Sequence, residues 1–497
     1  MNLADHLPAL QVAVPLLTAP LVILLRAGFL AWLTALVASL ASLGLAILLT
    51  VAVLETGTQE YYVGGWEPPY GIALSVDGLS ALVLLLITGA SSLALAGGRQ
   101  SLRLDIDNRR APMFYGAWLI AMAGLCGIAV TGDAFNVFVF MEISSLATYI
   151  LIAAGRDRRA LSAVFKYLII GTIGATFYLI GVGFIYMMTG TLNFADMALR
   201  LDDVIETRPV IIAAGFITIG LALKAAIFPL HIWLPRAYTY APNAVTVFIA
   251  ACSTKVAIYV LLRFNFTVFH GNLLGHSDLF SVFIIPLALS GILLASAIAI
   301  YQGNVKKMLA FSSVAQIGYI ALAAGLASQA GLMAALLHMF NHALAKGTLF
   351  LCVLAFILTS RSAIITDLHG IGRRMPWTMA AFVLAGLSLI GVPGTAGFIS
   401  KWYLIVAVME VPGWGVPLVM AIIASSLMAV VYLWKFIEAA YYGEPPPGGD
   451  TAALEVTLPL RALIWVAALS NVYFGLFPQL PLALAQSGTG TLLGGLN

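Results

Sequence analysis

Fourteen apolar stretches constrain this chain more than any motif in it. They lie near residues 7–25, 28–54, 78–98, 113–131, 133–155, 161–189, 210–228, 243–268, 280–303, 308–327, 330–358, 377–400, 412–442 and 458–479, each long enough to cross a hydrocarbon core of ~30 Å. In lipid a backbone must satisfy its own N–H and C=O groups, so such stretches have to be helices. Of the 497 residues only 9% are charged and 62% are hydrophobic, against about 25% charged in soluble domains. The expectation is an all-α polytopic membrane protein with about fourteen transmembrane helices. The first stretch lacks a basic n-region and a small-residue cleavage site, so it reads as a span and not as a removable leader.

With fourteen spans the loops alternate between two sides, and the basic residues divide 16 against 3. Arg26, Arg99, Arg103, Arg109, Arg110, Arg156, Arg158, Arg159, Arg236, Lys306, Lys307, Arg361, Arg373, Arg374, Lys435 and Arg461 share one side; Arg200, Arg208 and Arg263 share the other. Positive loops stay inside, so both termini are expected outside. The longest loops, 55–77, 190–209 and 443–457, are too short for a soluble domain. They hold no Cys/His/Asp cluster, no GxGxxG after a strand and no phosphate-binding loop; Gly303-Asn-Val-Lys-Lys307 comes nearest to one. Cys126, Cys252 and Cys352 lie in separate spans without paired spacing, which argues against a disulfide or metal reading.

The remaining five basic residues, Lys166, Lys224, Lys255, Lys346 and Lys401, sit inside or against the spans, and so does one acid, Glu142. A charge at bilayer depth is kept only with a partner, with water or for a purpose. Lysine readily gives up its proton when desolvated. A row of such lysines with one glutamate points to a path for protons rather than a site for an organic molecule.

Two spans are interrupted. One reads Gly220-Leu-Ala-Leu-Lys224-Ala-Ala-Ile-Phe-Pro229-Leu-His231, the other Gly386-Leu-Ser-Leu-Ile-Gly391-Val-Pro393-Gly394-Thr-Ala-Gly397-Phe-Ile-Ser-Lys401. Proline removes a backbone donor and clashes with the carbonyl four residues back. Interrupted helices at matching places of two halves are the best sequence pointer to an ion path, although proline and glycine are common in membrane helices anyway. The breaks fall in spans seven and twelve, five spans apart. Two five-helix repeats are therefore expected, over 113–268 and 280–442. Because five is odd, they are inverted. Residues 1–112 supply three further helices, and 443–497 a loop and helix fourteen.

At these residues the chain resembles the antiporter-like subunits of respiratory complex I, membrane-bound hydrogenases and Mrp-type cation/proton antiporters. The resemblance rests on Lys224-Ala-Ala-Ile-Phe-Pro-Leu-His-Ile-Trp-Leu-Pro-Arg-Ala-Tyr-Thr-Tyr-Ala-Pro-Asn243, Phe140-Met-Glu142-Ile-Ser-Ser-Leu, Lys306-Lys-Met-Leu-Ala-Phe-Ser-Ser313, His338-Met-Phe-Asn-His342-Ala-Leu-Ala-Lys346 and the second break through Lys401. Gly64-Gly-Trp-Glu-Pro-Pro-Tyr-Gly-Ile72 is most similar to the D subunit of Mrp antiporters. Asn304 departs from the family, many members having an acid before the basic pair. The resemblance implies a proton-translocating subunit of a multisubunit Na+(cation)/H+ antiporter. It would sit in a bacterial-type plasma membrane among other membrane subunits, with no cofactor. A redox-driven pump of complex I or hydrogenase type is the alternative host.

The resemblance further implies a Glu142–Lys224 pair. Buried ion pairs contribute little stability, so the pair suits a switch. At 6 Å and an effective dielectric of about 20, moving Lys224 toward another lysine costs roughly 3 kcal/mol, about a hundredfold in proton affinity. Lys255, mid-span and too deep to snorkel, is the expected central carrier. His338, His342 and Lys346 recur every fourth residue on one helix face. A histidine pair at that spacing could bind metal, but no third ligand follows, and a relay suits histidine's pKa better. Lys401 is the expected terminal carrier. Pro229 and Pro393 make the breaks. His231 fits a structural or a gating role equally. Lys166 reads as snorkelling or as a water-path entry. Ser144, Ser145, Thr148, Ser253 and Thr254 either hold water near the charges or simply pack.

Overall fold

The computed structural model describes residues 3–271, 279–444 and 455–494. Among these, thirteen helices are long and apolar enough to span a membrane. They are α1 (Leu7–Leu24), α2 (Gly28–Thr56), α3 (Gly78–Asp105), α4 (Ala111–Val130), α5 (Ala134–Ala153), α6 (Arg159–Thr189), α8 (Arg208–Ala225), α10 (Asn243–Leu262), α11 (Leu279–Ile300), α12 (Val305–Gly325), α13 (Gln329–Ser360), α17 (Gly415–Tyr442) and α18 (Leu458–Leu476). The expected span twelve is two shorter apolar helices, α15 (Pro376–Ile390) and α16 (Ala396–Met409). Thirteen candidate spans and this pair of shorter helices stand where the sequence predicted about fourteen.

Burial sorts these helices into an inner set and an outer ring. In α4, α10 and α12, 89–94% of the apolar window is buried; in α1, α2, α6 and α11 only 39% is. A helix hydrophobic all round belongs in a protein interior or against lipid, and here both occur. Glycine allows a close crossing between α6 and α8: a Cβ on Gly174 would come within 2.9 Å of the Gly220 carbonyl.

Both breaks are built from local backbone chemistry. Helix α8 ends on Ala226 in the left-handed region (φ 57°), and the chain passes the cis Phe228–Pro229 bond into the short helix α9 (Trp233–Tyr240). The freed Leu223 carbonyl accepts from Trp233 Nε1 at 2.9 Å. Helix α15 ends on Gly391 (φ 92°), and α16 starts after Thr395.

Three segments depart from the all-helical, loop-only expectation. Gln59–Tyr62 (β1) and Ala73–Val76 (β2) form an antiparallel hairpin, with Gln59 opposite Val76 and Tyr62 opposite Ala73. Phe194–Leu201 is a short helix, α7, capped by Asn193. Gln479–Leu493 forms α19, packed on α3 and α13 beyond span fourteen; its polar Gln, Ser, Gly and Thr residues concealed it. A further short helix, α14, covers Ile371–Arg374. Most of the proline-rich turn after Glu444 lies outside the described residues.

At the N-terminal end of α3, the hairpin face, Asp133 and Asn193 form an isolated antiparallel bridge. At its C-terminal end, the basic-loop face, Asn304 and Ile364 do the same. Asp133 caps α5 through Asn136 N (2.7 Å), and Asn304 caps α12 through Lys307 N (3.1 Å). The two bridges thus join corresponding loops of the two expected repeats at opposite ends of the molecule.

Candidate functional site

The structure brings Glu142 and Lys224 together. Lys224, in the last turn of α8, donates to Glu142 Oε1 at 3.3 Å and Ser145 Oγ at 2.9 Å, both on α5. The lysine side chain is 6% exposed and the glutamate 26%, so the pair is buried on its cationic side and open on the other. Ser144 turns back to bond Met141 O, and Thr148 bonds Ser144 O, so these two stabilise their own helix. A cavity of about 30 Å³ separates Lys224 from α10, lined by Ser144, Ser145, Tyr167 and Ser253. Its size admits one or two water molecules.

Lys255 is 1% exposed. Its Nζ donates to its own helix, at Ala250 O, and it forms no ion pair with a described residue. Helix α10 packs on α13. There His342, also buried, leaves both ring nitrogens without a hydrogen-bond partner among the described residues, as does Thr254 Oγ1 on α10. His338 stacks 6.3 Å from His342 and is held from two sides, Nδ1 to Ser400 Oγ at 2.9 Å and Nε2 to Gln316 Oε1 at 2.8 Å. Lys346 donates to Leu309 O (2.8 Å) and to Ser312 Oγ on α12.

Lys401 lies across the second break. Its ammonium takes up carbonyls freed there, Ile390 O at 2.8 Å and Leu389 O at 3.3 Å, together with Ser426 Oγ at 2.9 Å. It lies 4.8 Å from the centre of the Tyr319 ring, whose own centre is 5.5 Å from His338. Glu142 and Lys224 thus form one contact group, and His342, His338 and Lys401 form a second, on whose helix α13 the Lys255 helix packs. Gln316, Tyr319, Ser400 and Ser426 complete the second group; polar or aromatic residues on a buried helix were the only sequence signal for them.

Lys166 is exposed on α6 and joins no buried group, as a snorkelling side chain does. His231 is buried and stacks on Phe228 at 5.0 Å, with Nδ1 unpartnered among the described residues. Conversely, three loop charges of the sequence reading are buried. Lys306 donates to Ala241 O (2.7 Å) and Asn243 Oδ1 (3.2 Å), tying α12 to the turn before α10. Asp77 and Arg263 form an ion pair, supported by Ser80 Oγ and Tyr259 Oη at 3.1 and 3.3 Å from the guanidinium. Burial pushes the Asp77 carboxyl up, but the adjacent guanidinium outweighs it and holds the group below its usual range. Lys255, Tyr259 and Arg263 recur every fourth residue on α10. Arg263 opens a π-helical turn, Arg263–Val268, an irregularity frequent at functional sites. Tyr259 and Arg263 also line a 460 Å³ vestibule on the hairpin face, with Glu60, Glu67, Asp77 and Asp196 around it. Among the described residues no group of three His, Cys, Asp or Glu side chains could hold a metal ion.

Comparison with known proteins agrees with this architecture. The transmembrane family model "NADH:quinone oxidoreductase/Mrp antiporter" matches residues 131–429. The chain is 42% identical to NADH-quinone oxidoreductase subunit N of Desulforudis audaxviator, covering 95% of this chain and 96% of that protein. It is 30% identical to the D subunit of the Na(+)/H(+) antiporter of Alkalihalophilus pseudofirmus, covering 86% and 85%. A chain in the structure of the membrane-bound sulfane sulfur reductase, an archaeal respiratory membrane complex, superposes with a TM-score of 0.89 at 30% identity over 98% of both chains. This chain belongs to the NADH:quinone oxidoreductase/Mrp antiporter transmembrane family.

Proposed function

We propose that this chain is a proton-translocating subunit of a multisubunit complex of the Mrp cation/proton antiporter type. The observation that carries the reading is the set of buried ionisable groups at and between the two helix breaks, Lys224, Lys255, His342, His338 and Lys401. Lys255 is desolvated without a counter-ion, so the neutral amine competes with the ammonium and a proton can pass through it. When Lys224 leaves Glu142 for the cavity beside α10, its charge repels the proton on Lys255. Neither ring nitrogen of His342 is engaged by a described residue, so its unprotonated nitrogen is open to accept that proton, and buried polar groups of this kind ordinarily bond ordered water. His338 then relays it toward Lys401.

The paired loop bridges at opposite ends of α3 support two inverted repeats, with the basic-loop face inside and both termini outside. The hairpin-face vestibule supports outer aqueous access down the Tyr259 side of α10. A redox-driven host is the second reading, favoured by the 42% identity to a NADH-quinone oxidoreductase subunit. Co-purifying proteins discriminate the two: Fe–S proteins for a redox pump, further antiporter subunits for the Mrp type. Replacing Lys255 with alanine in the assembled complex should abolish pH-linked cation exchange, or proton pumping in a redox host. Normal transport by that variant refutes the assignment.

A further inference from the structure

We propose that a crevice on the basic-loop face, remote from the buried lysines, binds the phosphate headgroup of an anionic phospholipid. The crevice measures about 450 Å³ and lies where the α1–α2 turn meets the α3–α4 turn. Gly28 makes that meeting possible, since a Cβ there would press on Asn108 Oδ1 and come within 3.2 Å of Ala111 Cβ. Phe29 and Trp32 of α2, Arg99 and Arg103 of α3 and Tyr115 of α4 form the walls.

The Arg99 guanidinium lies 4.4 Å from the Trp32 ring centre and 4.8 Å from that of Phe29. Trp32 is itself fixed, its Nε1 donating to Leu95 O at 2.9 Å. Cation–π contact of this kind orients the guanidinium and leaves its in-plane donors available. Neither Arg99 nor Arg103 forms an ion pair with a described residue. The neighbouring acids are engaged elsewhere: Asp105 accepts from Ser101 Oγ at 3.2 Å, and Asp107 from the Arg109 backbone at 3.1 Å. Two uncompensated guanidiniums therefore face one cavity, a geometry that suits a phosphate diester.

The setting selects a lipid over a free anion. Phe29, Leu30 and Leu33 on α2 and Met113 on α4 are 38–67% exposed beside the crevice, at the position of acyl chains. Arginine and aromatic residues at the end of a lipid-facing helix mark the headgroup level, and basic pockets between spans on the inner side take anionic headgroups.

The test uses the intact complex, lipid-stripped and then titrated with phosphatidylglycerol, phosphatidylethanolamine or inorganic phosphate, with bound lipid counted by native mass spectrometry. Phosphatidylglycerol should bind in preference to phosphatidylethanolamine. Retention should fall roughly fivefold for each arginine removed in Arg103→Gln and in Arg99→Gln/Arg103→Gln, and stay unchanged in Arg158→Gln, an exposed arginine on another loop. Arg103 is exposed, so its single variant folds even if the double does not. Equal binding of the two lipids, or no loss in Arg103→Gln, overturns the proposal. Displacement of phosphatidylglycerol by millimolar inorganic phosphate overturns the lipid in favour of a free anion. No outcome depends on whether protons cross this chain.

Discussion

Two lysines stand at two broken helices, and only one of them has a carboxylate. Lys224 meets Glu142 at 3.3 Å, whereas Lys401 is solvated by two backbone carbonyls, a hydroxyl and the face of Tyr319. A carboxylate partner gives a lysine two discrete states, paired and unpaired, differing by a full charge. Carbonyls and a ring face stabilise the ammonium more weakly and do not move away. That difference fits the proposed roles, a switch at the first break and release at the second. The backbone follows the same division. Ala226 strains the first break with a left-handed non-glycine residue, and Gly391 and Gly394 relax the second.

Removing the carboxylate should have the largest effect. Glu142→Gln leaves Lys224 buried with neutral acceptors alone, Ser145 Oγ and the new amide oxygen. Coupled transport should fall about a hundredfold, in line with roughly 3 kcal/mol of lost charge interaction. Proton uptake into everted vesicles carrying the assembled complex measures it. Near-normal uptake would show that the two breaks do not differ in kind.

The reverse change sharpens the comparison. Ser426→Asp places a carboxylate where a hydroxyl now lies 2.9 Å from Lys401 Nζ. A paired ammonium holds its proton, so transport should slow by about tenfold or more, the cost of an added charge-assisted bond of ~1.5–3 kcal/mol. A variant faster than wild type would mean that release at Lys401 is not limited by its solvation.

Much of this arrangement was legible in the sequence because its physics is local or periodic. Span length, basic-loop bias, two Pro/Gly interruptions and the fourth-residue recurrence of His338 and His342 each follow from one segment read alone. The Glu142–Lys224 pair came from family resemblance, since no rule of spacing joins α5 to α8. What stayed hidden needs two distant segments at once. Asp77 and Arg263 are 186 residues apart and read as ordinary loop charges until the start of α3 and the π-helical turn after α10 bring them together. Lys306 looked like half of a loop pair, and only the fold sets its Nζ against Ala241 O.

The smallest expected effect tests whether release depends on where Lys401 is held. Gly391 combines a φ of 92° with close contact: an added Cβ would lie 2.8 Å from Lys401 Cδ. Gly391→Ala therefore carries the left-handed penalty of roughly 1–2 kcal/mol and also pushes the lysine stem away from Ile390 O. The complex should still assemble, since the break remains, and transport should fall roughly three- to tenfold. Gly394→Ala is the control. It has a similar φ of 85° but nothing within 4 Å of the added methyl, so it carries the backbone penalty without the collision. A larger loss in Gly391→Ala than in Gly394→Ala assigns the effect to Lys401 itself. Equal losses would assign it to the backbone of the break and leave the lysine's carbonyl shell without a role in the rate.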